Sequence, residues 1–149
     1  MVKRISNLCA LVGLVLFPAE VFGQIYACNL TSDTHQGGIP PVLVIEVDDA
    51  EKTVRVVDAV MLLEEQPPLV AKINKPKGDE LAFEWRYMYK GTENRQTKAT
   101  FDVRYVASFS KDRQKISLRG FPSGYDNRYR GKGTCTELNK LPSRSNKNG

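Results

Sequence analysis

Gly124-Tyr125-Asp126-Asn127-Arg128-Tyr129-Arg130-Gly131-Lys132-Gly133-Thr134-Cys135 reads as a turn, then a strand, then a cysteine that closes a domain. Gly, Asp and Asn supply the turn chemistry at its start. From residue 129 to 138 the run alternates as a strand does. The natural partner of Cys135 is Cys28, which sits in QIYACNL at residues 24–30, the first strand-like run after the N-terminal segment. Together the two cysteines bracket almost everything between them.

What lies between repeats one pattern. Short apolar or alternating runs are separated by turn residues, and no helical periodicity of useful length occurs. Residues 42–47 and 53–60 form the arms of a hairpin around the turn 48–52. A short strand follows at 69–73, then a turn at 74–79 with both Pro and Gly. Residues 80–89 alternate cleanly, with Leu81, Phe83, Trp85 and Tyr87 on one face, so that face is expected in the core with Trp85 near its centre. Residues 100–109 alternate likewise, through Phe101, Val103, Tyr105 and Ala107, and return through the turn 110–114 to a strand at 115–119. The stretches 31–41, 90–98 and 120–124 read as loops or turns. Residues 61–68 can continue a strand or make one helical turn before Pro67-Pro68 ends either.

Successive antiparallel strands solve the problem of exposed edges best by closing on themselves. The fold expected is therefore all-β, a small antiparallel barrel of about eight strands, with one disulfide joining first and last strands; a β-sandwich is the alternative. Residues 1–23 read as a signal peptide. Lys3 and Arg4 precede an apolar run from Leu8 to Phe17 that is too short to span a bilayer, and Pro18 breaks it. Residues 24–138 then form a single β domain, and 139–149 a polar, basic tail expected to be disordered. Cys9 falls in the leader, so of the three cysteines Cys28 and Cys135 remain as an even pair, which an oxidising compartment is expected to bridge.

The formal charge of +5 is unevenly spread: residues 24–65 are acidic and residues 66–149 basic. Catalytic chemistry is thin. His35, the one histidine, follows Asp33 by two residues, but no serine stands in a nucleophile-elbow setting. Bridging removes any cysteine nucleophile. Asp48 and Asp49 suit a hairpin turn and do not match the spacing of a calcium loop. Glu64 and Glu65 are adjacent and on a strand would face opposite ways. Gly131-Lys132-Gly133 lacks the length of a phosphate-binding loop. Asn29-Leu30-Thr31 is formally a glycosylation acceptor. No catalytic residue and no metal site are assigned, and neither a cofactor nor a nucleic-acid partner is expected.

The best functional candidate is the basic and aromatic run Arg119, Tyr125, Arg128, Arg130 and Lys132, with Tyr129 interleaved. Cations beside aromatic rings can hold anionic polymers, sugars or phosphate groups. The same residues also suit cation–π and turn packing at a barrel mouth. Arg128, Arg130 and Lys132 are two apart and project to one face, with Tyr129 turned to the core; Glu84 and Asp102 are their expected internal partners. Gly131 and Gly133 leave room on the core face for a neighbour or a bulge.

The pattern Gly-Tyr-x-Asn-x-Tyr-x-Gly-x-Gly-x-Cys, met at residues 124–135, resembles the ending of short exported proteins of unknown function from Gram-negative bacteria, especially alphaproteobacteria. Those proteins also carry a cysteine in the first strand after a signal peptide. The resemblance implies a periplasmic address and supplies no activity. A fainter resemblance is to the periplasmic C-type lysozyme inhibitors, small disulfide-bonded β-barrels that open with Tyr-x-Cys, as Tyr26-Ala27-Cys28 does. Their inhibitory loop carries Ser-Gly-x-x-Tyr, whereas Ser123-Gly124 is followed by Tyr125 and Tyr129, and their Trp-Lys-Gly segment is absent. The inhibitor function is not carried over.

The chain is thus read as a non-enzymatic periplasmic or secreted binding module for an anionic partner, either a cell-envelope polymer or a secreted protein. The alternative is an inhibitor of a secreted or cell-wall-cleaving enzyme. No transmembrane segment is expected in the mature chain.

Overall fold

A computed structural model of the chain describes residues 23–33, 37–75, 78–93 and 97–140, with the backbone alone for 91–93 and 97–99. Eight strands follow one another: β1 (Gln24–Ser32), β2 (Val42–Asp48), β3 (Thr53–Asp58), β4 (Leu69–Ile73), β5 (Leu81–Glu93), β6 (Thr97–Phe109), β7 (Lys115–Pro122) and β8 (Tyr129–Leu138). Each pairs antiparallel with its neighbours in sequence, and β8 pairs with β1, so the sheet closes into a barrel. Closure leaves none of these strands as a free edge. The barrel replaces the sandwich alternative.

The disulfide sits at the closing seam. Cys28 and Cys135 are direct cross-strand partners in the β1–β8 register and are bonded, 107 positions apart in sequence. Inside, the alternating runs supply the packing. Phe83, Trp85, Tyr105 and Phe109 are buried, with Trp85 stacked on Phe83 at 5.8 Å and on Tyr105 at 5.3 Å between ring centroids. Such pairs add to the burial of apolar area that drives folding.

Three expectations about boundaries need correction. Of the residues 90–98 expected in a polar loop, 90–93 and 97–98 are strand, with 90–93 pairing with 97–100 in the arms of the β5–β6 hairpin, and 94–96 lie outside the described residues. Polar residues are no bar to pairing, because the ladder is made by backbone groups. The strand expected to end at 119 runs on to Pro122, because Gly120 and Phe121 still pair with Tyr105 and Arg104. The strand expected to reach residue 60 stops at Asp58. There the Asp58 side chain accepts a 2.8 Å hydrogen bond from the Met61 amide and caps a single helical turn, α1 (Ala59–Leu63). Asp58 still pairs with Leu43, and its side chain offers the following amides a cap in place of further ladder.

One end of the barrel gathers the residues 37–41, α1, the β5–β6 hairpin and the turn 123–128. Gly38 crosses this mouth with φ +83°, and a side chain there would collide with the Tyr129 ring. On β8, Gly131 makes room for Ile39, and Gly133 passes against the Asn29 backbone. The expected close approach at these two glycines is therefore present on both. His35, residues 1–22 of the segment expected to be a signal peptide, and residues 141–149 lie outside the described residues.

Candidate functional site

Strands β6, β7 and β8 carry the candidate site on their outward faces. The β7–β8 register sets Arg119 directly opposite Arg130 and Ser117 opposite Lys132. Ser117 in turn faces Ser108 across β6–β7. Arg119, Arg130 and Lys132 line an outer groove of about 360 Å³ together with these serines and Asp33. A second hollow of about 570 Å³ shares Ser108, Ser117 and Lys132 and continues past Lys115 and Thr134. The two hollows adjoin on the outside of the barrel, lined by cations and hydroxyls and by two carboxylates, Asp33 in the first and Glu80 in the second.

Like charges directly opposite one another on a sheet destabilise it. Among the described residues no carboxylate lies within ion-pair distance of Arg119, Arg130 or Lys132. Asp33 shares the groove, and its amide donates to the Arg130 carbonyl at 2.8 Å, but its side chain forms none of these ion pairs. The expected partners are engaged elsewhere. Glu84 bonds Arg104 at 3.2 Å and Lys72 at 3.7 Å, and Asp102 meets Arg86 at 3.7 Å and accepts from the Ser123 hydroxyl at 2.8 Å. The register explains the correction: Lys72 sits opposite Glu84 across β4–β5, and Asp102 lies one diagonal from Arg86 across β5–β6. A hydrogen bond from Asn74, followed by the two cations, holds the Glu84 carboxyl below its ordinary range.

The run read from sequence divides in space. Arg119, Arg130 and Lys132 share the groove; Arg128 and Tyr125 do not line it. Arg128 precedes β8 rather than belonging to it, and its guanidinium lies over the Phe121 ring at 5.7 Å, as that of Arg104 does at 4.6 Å. Tyr125 is 63% exposed and leans on Phe101 at 5.7 Å. Tyr129 is buried, facing inward as expected. Asn29 is exposed within β1. Asp48 accepts from the Ala50 and Glu51 amides, the turn role expected of it.

A feature that the sequence reading missed occupies the barrel mouth. Asp58 is 2% exposed. Its Oδ2 accepts from the Tyr89 hydroxyl at 2.9 Å, Tyr89 meets the Tyr105 hydroxyl at 3.1 Å, and Tyr105 donates to the Gly38 carbonyl at 2.9 Å. Tyr87 beside them donates to Glu64 at 2.5 Å, tying the end of α1 to β5. Burial, first, pushes the phenols of Tyr87 and Tyr89 well up, and Tyr105 up to about 12. The sequence signal was present: Asp before AVMLL is an N-cap pattern, and Tyr87, Tyr89 and Tyr105 fall on inward-facing positions.

No family model matches the chain, and no curated protein or solved structure matches it. Among the described residues no helix is long and apolar enough to cross a membrane.

Proposed function

We propose that the chain is a non-enzymatic, exported binding module that holds an anionic cell-envelope polymer along the outer groove of β6–β8. The observation that carries this reading is the opposition of Arg119 and Arg130 with no carboxylate in ion-pair reach among the described residues. An arrangement that costs stability alone becomes favourable when an anion lies between the two guanidinium groups. The adjoining hollows offer four cations, Lys115, Arg119, Arg130 and Lys132, and several hydroxyls against the two carboxylates Asp33 and Glu80, which suits a repeating chain of acidic sugars or phosphates better than a single small anion. The leader-like residues 1–23 and the disulfide agree with a periplasmic address. A secreted acidic protein is the other partner class that this charge would accept.

The test is binding of the chain from Gln24 onward to lipopolysaccharide and to polygalacturonate at about 0.05 M and about 0.5 M salt, where screening lengths differ severalfold. The affinity is expected to fall steeply with salt. The Arg119→Ala, Arg130→Ala, Lys132→Ala triple variant is expected to lose binding, and Arg128→Ala to keep it. Salt-independent binding, or a triple variant that binds like the parent, overturns the reading.

A further inference from the structure

The barrel mouth holds a cavity of about 400 Å³, separate from the outer groove. Its walls include Ile39, Val60, Phe101 and Tyr129, and Asp58, Tyr89 and Tyr105 lie at its base. Most of this lining is hydrocarbon or aromatic ring. The polar groups are the Tyr89 and Tyr105 hydroxyls, the Gly38 carbonyl and the one carboxylate, that of Asp58, a residue 2% exposed.

The carboxylate's two oxygens accept one hydrogen bond each, from the Met61 amide and the Tyr89 hydroxyl. Those donors are dipoles and do not neutralise its charge. Among the described residues no lysine or arginine makes an ion pair with it. A buried charge is ordinarily paired with a counter-ion or a metal. It lines the cavity beside Tyr89, Phe101, Tyr105 and Tyr129, within reach of a charge placed there although little of it meets solvent.

These features select the occupant. A hard inorganic cation needs several oxygen ligands, and among the described residues of the lining Asp58 is the one carboxylate, with the Tyr89 and Tyr105 hydroxyls and the Gly38 carbonyl already engaged in hydrogen bonds. An anion is repelled by Asp58. A neutral apolar molecule would fit the walls but leave the carboxylate uncompensated. An organic ammonium ion meets both demands, its charge toward Asp58 and its alkyl groups against the ring faces. We infer that the mouth of the barrel binds a small organic ammonium ion, with Asp58 as its counter-ion and Phe101, Tyr105 and Tyr129 as the aromatic wall.

This proposal is independent of the polymer reading, because the two sites share no lining residue. The test compares choline with 3,3-dimethyl-1-butanol, its uncharged carbon isostere, by amide chemical-shift titration of the mature chain. Saturable shifts are expected for choline at residues around the cavity, Ala59, Val60 and Phe101 among them. The alcohol is expected to bind at least about tenfold more weakly, the upper range for a cation held by aromatic faces. Asp58→Asn keeps an acceptor for the Met61 amide and removes the charge, and it is expected to abolish the preference for choline. Phe101→Leu keeps bulk and removes one ring, and it is expected to weaken choline several-fold whether or not the Asn variant folds. Equal binding of both probes, no saturable shift with choline, or shifts elsewhere on the barrel would overturn the proposal.

Discussion

Tyr89 donates its hydroxyl hydrogen to Oδ2 of Asp58 across 2.9 Å, while Oδ1 of the same carboxylate holds the Met61 amide at 2.8 Å. One buried side chain thus fastens the long β5 strand to the turn where β3 becomes α1. Asp58→Ala removes the cap and one acceptor of the Tyr89 hydroxyl, which keeps the Tyr105 hydroxyl at 3.1 Å. The expected loss is about 1–2 kcal/mol, the range for a lost N-cap. Denaturant midpoints of Asp58→Ala and Asp58→Asn measure it, and the Asn variant, which still accepts hydrogen bonds, should lose less.

The same cluster sets the alkaline limit of the fold. Burial raises the Tyr105 phenol from its ordinary 10.0 to about 12, and the Asp58 charge adds to the rise while the Tyr89 hydrogen bond opposes it. Tyr89 is raised by burial and then by Tyr105. A group raised on folding contributes stability below its unfolded value and loses it as pH rises through the folded value. The Tyr105 contribution to stability should therefore decline above pH 10 and be lost as pH passes about 12. Near-ultraviolet phenolate absorbance should rise in two stages, the later one coinciding with loss of the native circular dichroism. A single stage near the ordinary tyrosine value would contradict the buried placement.

Reduction of Cys28–Cys135 should lower the melting temperature without abolishing the fold. A closed loop of 107 residues is associated with about 4–5 kcal/mol in chain-entropy terms. The aromatic core does not depend on the bond. Alkylation under denaturing, non-reducing conditions should label neither Cys28 nor Cys135; labelling of both would refute the bridge.

Trp85→Ala should cost about 3–5 kcal/mol, the range for removing a large aromatic from a packed core. Trp85 is 6% exposed and stacked between Phe83 and Tyr105. Native fluorescence should be blue-shifted and poorly quenched by iodide, and ready quenching would place the ring at the surface.

The barrel was legible wherever one face of a strand is wet and the other dry. Phe83, Trp85, Val103 and Tyr105 announce their face by alternation alone, and the two cysteines announce the seam. What escaped was polar structure at the barrel ends. The arms Lys90–Glu93 and Thr97–Thr100 pair through their backbones, which leaves no hydrophobic period to read. The Asp58 cluster joins residues 31 and 16 positions apart, through hydroxyls that sequence leaves unaimed. Of the basic run, the alternation of Arg130 and Lys132 was readable. The arrival of Arg119 opposite Arg130 depends on hairpin register, and the departure of Arg128 to Phe121 on the turn before β8.

The central claim is that Arg119 and Arg130 are kept opposed for a partner rather than for the fold. Opposed like charges cost a sheet roughly 0.2–1 kcal/mol relative to neutral pairs. The most direct measurement takes Arg119→Thr, which keeps β propensity and removes one charge, and records thermal stability at low salt and polymer affinity on the same sample. The account predicts a variant at least as stable as the parent, with weaker, less salt-sensitive binding to lipopolysaccharide or polygalacturonate. A variant that melts lower and binds as the parent does would contradict it.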